Sequence, residues 1–336
     1  MSDLIRTCDV PADRLVTRTV EEFLGLLGGP IRIHLPGKDR SRTRAVATLL
    51  HGNEPSGVRA LHRFLKSGGR PATDVLALVA AVATALQPPG FAFRMLPGAR
   101  DLNRCFAGPY SGPEGLLARE ILDELLAAEP EALVDLHNTS GSGPAYGVGT
   151  RLNPICLAVT SMFASQYVLT DIRLGSLMEA TEDAFPTVTI ECGGAGSAAA
   201  DELAFNGLQR FLCSESLLAA APAGHEVVVL EHPVRIRLAP GARIAYSHAP
   251  VGNRTLTLRN DIDRFNSAVL RANEPIGWTN ELTALTAAGG TGLTPLDELF
   301  EVRGGQLYAK RALRLFMATT DVRIAEDDCV FYVVAA

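Results

Sequence analysis

Ala45 to Gly57, AVATLLHGNEPSG, is the stretch on which the fold turns. Apolar and β-branched residues run into His51-Gly52-Asn53-Glu54, and a helix-like segment follows from Pro55, so His51 and Glu54 belong on the turn at a strand's C-terminal end. Open α/β sheets hold their ligand sites at that end. An imidazole and a carboxylate three positions apart can share one Zn²⁺ ion and leave room for a third ligand and an activated water. The third ligand has to come from elsewhere in the chain.

Two later runs supply chemistry of the same kind. Ala132 to Thr139, ALVDLHNT, alternates as a strand does, so Asp135 and His137 point to one face and His137 is the missing ligand. Asp135 has two readings: a carboxylate that orients a ligand from behind, or one that satisfies a nearby backbone amide. Thr187 to Gly193, TVTIECG, is a β-branched strand that delivers Glu191 near its end. An acid inside an apolar strand is costly unless paired or used, which makes Glu191 a candidate general base. The CGGAGS turn after it lacks the GxGxxG order and the acidic ribose ligand of a dinucleotide site.

The remaining segments read as scaffold. Thr19 caps a helix over EEFLGLL, Ile31 to Leu35 is a half-buried strand, Gly57 to Lys66 is a helix, and Asp74 to Ala83 has the unbroken apolar pattern of a central strand. Pro113 to Ala128 is amphipathic with proline at its start. A helix over Pro154 to Ala164, a strand-like run from Gln166 to Leu174 and a long helix from Ala198 to Ala220 follow. Between Pro88 and Arg104 lies a polar loop ending in Asp101-Leu102-Asn103-Arg104, with Arg94 and Arg100 before it. An exposed loop explains such a run; so does a grip on a substrate carboxylate by Arg104, with Asn103 offering an amide donor beside it.

From about Pro222 the texture changes to short strands separated by turns, which predicts a β-rich domain over 222–336 after an α/β domain over 1–221. His62 lies off the strand-end rim and reads as an ordinary surface or boundary residue. His225, His232 and His248 show no mutual metal spacing and read as ordinary too, and Gly289 to Gly292 reads as a loop. With 336 residues and 47% hydrophobic composition the chain can bury more than one core. A net charge of −6 with no basic stripe argues against nucleic acid as a partner. The six cysteines are scattered without CxxC spacing, the N-terminus has no apolar leader, and no run is long enough to span a membrane, which together predict a cytoplasmic protein. Assembly of identical chains is left open.

HGNE at 51–54, DLNRCF at 101–106, DLHNTSG at 135–141 and TIECG at 189–193 stand in the order and approximate spacing of the succinylglutamate desuccinylase and aspartoacylase family, which is related to the zinc carboxypeptidases. The chain resembles that family over roughly residues 45–220. The resemblance implies an α/β, zinc-carboxypeptidase-like domain with a mixed, mostly parallel sheet flanked by helices, followed by a smaller C-terminal β-rich domain that narrows the active-site mouth. By position it implies His51, Glu54 and His137 as ligands of one zinc per chain, Glu191 as the catalytic glutamate, and Asn103 with Arg104 as the carboxylate-binding pair. The family's oxyanion arginine falls in strict register at Leu96, leaving Arg94 or Arg100 to stand in, and Tyr308 lies near a substrate-contacting tyrosine of relatives. Relatives also grip a side-chain carboxylate with an arginine near Ala180; here only Arg173 stands nearby, farther back, which argues against a dicarboxylic product. The implied activity is metal-dependent hydrolysis of a linear amide bond in a small N-acyl amino acid. The alternatives are a zinc carboxypeptidase acting on short peptides and a zinc-bearing binding module without chemistry.

Overall fold

Thr19 opens the first helix with a reciprocal cap: its side chain accepts from the Glu22 amide while the Glu22 carboxylate reaches back to the Thr19 amide. Gly28, at φ 66°, ends the helix in the left-handed conformation that glycine adopts without strain. The computed structural model describes residues 4–7, 18–219, 226–289 and 295–336. In chain order the first part holds β1 (Arg6–Thr7), α1 (Val20–Leu27), β2 (Ile31–Leu35), β3 (Asp39–Thr48), α2 (Ser56–Lys66), β4 (Thr73–Val79), α3 (Val82–Leu86) and α4 (Gly112–Ala128). There follow β5 (Leu133–Thr139), β6 (Tyr146–Gly149), α5 (Pro154–Ser161), β7 (Gln166–Leu169), α6 (Leu177–Thr181), β8 (Thr187–Gly194), α7 (Ala198–Cys213) and β9 (Val228–Glu231).

These strands form one nine-stranded sheet in the order β1-β2-β4-β3-β5-β8-β6-β7-β9. The central strand β3 runs parallel to β4, with Ala45 opposite Leu76, and parallel to β5, with Ala45 opposite Leu133. Ala45, Val46 and Ala47 are fully buried, as a strand covered on both faces requires. Antiparallel pairs occur at β2 with β4 and at β6 with β8, so the sheet is mixed but mostly parallel. Helix α2 starts tight against β5: a Cβ on Gly57 would lie 2.7 Å from the Leu136 Cβ, so only glycine lets the first turn come this close.

Several boundaries differ from those the sequence suggests. The apolar run from Asp74 leaves the sheet at Val79 and turns into α3, because a continuous apolar stretch does not distinguish a buried strand from a buried helix start. Strand β7 stops at Leu169 rather than Leu174, and α5 stops at Ser161 rather than Ala164. Helix α7 ends at Cys213, not near Ala220: Ser214 is extended at ψ 134°, its hydroxyl bonds back to the Arg210 carbonyl at 2.6 Å, and the Leu212 carbonyl accepts from the Ala72 amide at 2.8 Å. A carbonyl spent on the residue that leads into β4 is not available to the next helical turn.

By its contacts the chain divides into two units: residues up to Asn138 with Ala145–Tyr167 and Arg173–Val229, and Leu230–Ala336 with Thr139–Pro144 and Val168–Ile172. The second unit is built of β10 (Val234–Leu238), β11 (Ile244–Ser247), β12 (Leu256–Arg259), β13 (Val269–Leu270), β14 (Pro275–Thr279), β15 (Leu285–Ala288), β16 (Phe300–Arg303), β17 (Gln306–Ala309), β18 (Leu313–Phe316) and β19 (Phe331–Ala335). They make two five-stranded sheets, β13-β18-β19-β10-β15 and β11-β12-β14-β17-β16. Ile236, Leu258, Ile276, Leu307, Leu315 and Phe331 belong to one buried cluster, the inward halves of alternating strands. His232 meets Asp171 at 3.3 Å and His248 meets Asn260 at 2.9 Å. His225 and Gly290 to Gly292 lie outside the described residues. Among the described residues no helix is long and apolar enough to cross a membrane.

Candidate active site

The three motifs read from the sequence meet at the C-terminal ends of the central strands. After β3 the chain turns through Leu49 at φ 58° into the HGNE segment. Gly52 is required there: a Cβ would lie 2.5 Å from Thr84 Cγ2 and 2.8 Å from the Phe93 carbonyl. The Gly52 amide donates to the Arg94 carbonyl at 2.9 Å, so the loop after Pro88-Pro89 lies directly on this turn.

His51, Glu54 and His137 are buried, and one ligand atom from each lies within 4.8 Å of the others. His51 Nδ1 is 2.9 Å from Glu54 Oε1 and His137 Nδ1 is 2.6 Å from Glu54 Oε2. Each imidazole has its other nitrogen against a second carboxylate: His51 Nε2 at 3.0 Å from Asp101 Oδ1, His137 Nε2 at 2.8 Å from Asp135 Oδ2. Two rings held from behind by carboxylates, with their Nδ1 atoms converging on a third carboxylate, are a donor set that fits one divalent cation.

Charge sets the protonation of this cluster. Burial pushes the Glu54 carboxyl up, but His51 and His137 outweigh it and hold the group well below its usual range. Burial disfavours the charged His137 ring, yet Asp135 and Glu54 on either side raise its pKa well above the usual value. Asp101, pushed up by burial, is held far below the usual range by His51 and Arg94. Glu191 goes the other way. Burial, reinforced by Glu54, lifts it to about 7 against the pull of His137, His51 and Arg94, and its Oε2 has no hydrogen-bond partner among the described residues.

Arg94 and Arg100 part company. Arg94 places Nη2 3.0 Å from Asp101 Oδ2 and Nη1 3.3 Å from Glu54 Oε1, while Arg100 donates to the Ser111 and Pro109 carbonyls at 3.0 and 3.4 Å. Asp101 caps a short 3₁₀ turn, Leu102–Arg104, by accepting from the Asn103 amide. Asn103 is buried with Oδ1 accepting from the Leu177 amide at 2.9 Å, and Arg104 donates to the Asn103 carbonyl at 3.0 Å. Tyr308, in the second unit, donates to Gln306 Oε1 at 2.6 Å beneath the Arg303 guanidinium. Arg173 is ion-paired with Glu182 at 2.6 Å.

The sequence alone gives Asp101 no role. Its local signal, an aspartate two residues before Asn103, announces only a turn cap; its second partner, His51, is 50 residues away.

A family model described as the succinylglutamate desuccinylase/aspartoacylase catalytic domain matches residues 42–212. No protein with a curated description matches the chain by sequence. Among solved structures the chain is similar to a succinylglutamate desuccinylase/aspartoacylase from Rhodobacter sphaeroides, at 17% identity and TM-score 0.56 over 90% of this chain and 87% of that one. It is similar to the product-bound ectoine utilization protein EutE (DoeB) from Ruegeria pomeroyi, at 20% identity and TM-score 0.56 over 91% and 88%. A succinylglutamate desuccinylase from Vibrio cholerae gives 14% identity and TM-score 0.57 over 96% and 95%. At these identities the structural likeness is one of fold. The sequence match, which spans just over half of the chain, makes the protein a member of the succinylglutamate desuccinylase/aspartoacylase family, hydrolases that remove acyl groups from amides.

Proposed function

We propose that the protein is a zinc-dependent amidohydrolase that deacylates a small N-acyl amino acid, with one zinc per chain held by His51, Glu54 and His137. The convergence of two imidazoles and one carboxylate, with the buried Glu191 carboxyl in the field of all three and its Oε2 unpartnered among the described residues, is the observation that carries this proposal. A zinc ion held by these three residues would supply Lewis acidity to the scissile carbonyl and the attacking water. Glu191 takes the proton from that water and hands it to the departing amine. In the metal-free protein this carboxyl titrates at about 7, and a cation bound beside it would favour the carboxylate form that a general base needs. Asp135 and Asp101 orient His137 and His51 from behind.

Arg94, held at the cluster by Asp101, is the arginine that stabilises the oxyanion. Arg94→Leu is expected to lower kcat about 100-fold with little change in KM, whereas Arg100→Leu stays within about threefold of wild type in the same assay. Asn103 and Arg104 bind the substrate carboxylate; the Leu177 amide holds Asn103 Oδ1 at 2.9 Å, which supports Nδ2 as the donor in this role. Arg104→Ala is expected to raise KM on the order of 100-fold, the loss of a charge-assisted pair, with a smaller effect on kcat. Arg173, the only arginine between Arg151 and Glu191, is engaged by Glu182, so the substrate is one with a single carboxylate.

The catalytic domain in this proposal is residues 1–221 and the β-rich domain 222–336. A reducing, cytoplasmic setting suits the thiols of Cys105, Cys156, Cys192 and Cys213, none of which forms a disulfide. The test is elemental analysis together with amine release from N-acetyl, N-formyl and N-succinyl amino acids. One zinc per chain with turnover of a monocarboxylate member supports the proposal. Preference for N-acyl aspartate or glutamate would overturn the single-carboxylate assignment, and faster cleavage of dipeptides would make the protein a carboxypeptidase. Zinc without turnover on any of these would leave a binding module.

A further inference from the structure

Asn138, the residue after His137, has no part in the chemistry above, yet it is 2% exposed and fully engaged. Its Oδ1 accepts from the Ser56 amide at 3.0 Å, and its Nδ2 donates to Ser56 Oγ at 2.8 Å and to the Gly193 carbonyl at 2.9 Å. Its backbone amide donates to Glu54 Oε2 at 3.3 Å. The carboxamide has only one orientation that satisfies these partners, because the Ser56 amide can only donate and the Gly193 carbonyl can only accept. Ser56 Oγ spends its own proton on Asp201 Oδ1 at 2.7 Å, and Asp201 is held in turn by Arg59 at 2.9 Å, so the hydroxyl meets Asn138 as an acceptor.

The partners are placed so that one side chain joins three site-bearing segments. Ser56 stands two residues after Glu54, Gly193 two residues after Glu191, and Asn138 itself one residue after His137. We propose that Asn138 is a positioning residue: its carboxamide ties the HGNE turn, the end of β5 and the end of β8 into one frame, and so fixes where Glu191 stands relative to the His51, Glu54 and His137 cluster. The kinetic consequence rests on the hydrolase proposal; the effect on metal binding does not. A buried asparagine with a purely structural role would contribute stability and nothing else.

The experiment compares the full-length wild type with Asn138→Ala and Asn138→Ser, the second keeping one hydroxyl in case the first does not fold. Folding is checked by circular dichroism. The zinc dissociation constant is measured by competition with a chromophoric chelator, and kcat and KM are measured at saturating zinc. The expected result is a roughly tenfold rise in the zinc dissociation constant and a 10- to 100-fold fall in kcat, with KM within about threefold, the size of effect that groups behind a metal site produce. A move of either quantity in a folded variant supports the proposal. A folded variant that melts earlier but keeps both the zinc constant and kcat within about twofold of wild type overturns it. If the wild type turns over no N-acyl amino acid, the hydrolase proposal fails and the zinc constant alone decides the role of Asn138.

Discussion

Glu191→Gln is expected to bind zinc as the wild type does, to lose about 10³-fold or more of kcat, and to be the more stable protein above pH 7. The kinetic loss follows from removing the group proposed to accept and return a proton, a role worth about 10²- to 10⁴-fold in such reactions. The gain in stability follows from the raised carboxyl. Its folded pKa of about 7 exceeds the ordinary 4.5, so the folded state holds a proton that the unfolded state has released. Stability that is present below about pH 4.5 is therefore lost as pH rises through 7. The carboxamide of the variant carries no charge and escapes that loss. A shift of this size corresponds to about 3 kcal/mol at 1.36 kcal/mol per unit, and melting of the chelator-treated proteins at pH 5 and pH 8 would show it. The metal-free state is the one to compare, because a cation beside Glu191 would itself stabilise the carboxylate. Equal melting temperatures at pH 8 would refute the burial argument, and undiminished turnover would remove Glu191 from the mechanism.

Stripping the zinc should reduce turnover to background, with full recovery on adding zinc back to the wild type and none for His137→Ala. Binding to the folded state alone stabilises it by about 4 kcal/mol when free zinc stands at 1,000 times its dissociation constant, so metal removal should also lower the melting temperature. The affinity should depend on pH. Asp135 and Glu54 keep a proton on His137 to higher pH than an ordinary imidazole, and zinc must displace that proton to reach Nδ1. The dissociation constant should thus fall by about tenfold per pH unit as pH rises through the neutral range. Calorimetry in buffers of different ionisation enthalpy would count the released proton, and a pH-independent affinity between pH 6 and 8 would contradict His137 as a ligand.

Much of the site is legible in the linear sequence because its signals are local. The apolar run into HGNE puts His51 and Glu54 at a strand end, and the two-residue period of ALVDLHNT puts Asp135 and His137 on one face. Glu191 stands out because an acid in a β-branched strand violates the apolar pattern around it. The capped helix at Thr19 and the β-rich texture after Pro222 are likewise carried by neighbouring residues. Boundaries are less legible: α7 ends at Cys213 because Leu212 gives its carbonyl to Ala72, a partner that no helical periodicity announces.

What the sequence by itself determined was that His51, Glu54, His137 and Glu191, side chains of the types that can ligate a metal or carry a proton, stand at strand ends, since side-chain period and turn composition act over a few residues. What only the tertiary structure decided was who stands behind and beside them: Asp101 against His51, Arg94 rather than Arg100 at the cluster, and Arg173 taken by Glu182. The first two pairings exist because the Pro88 loop folds over the HGNE turn after β3, and the third because the chain turns through α6 and brings Glu182 back to Arg173. Strand order and loop path are settled by packing of the whole domain, and short-range sequence pattern carries no record of them.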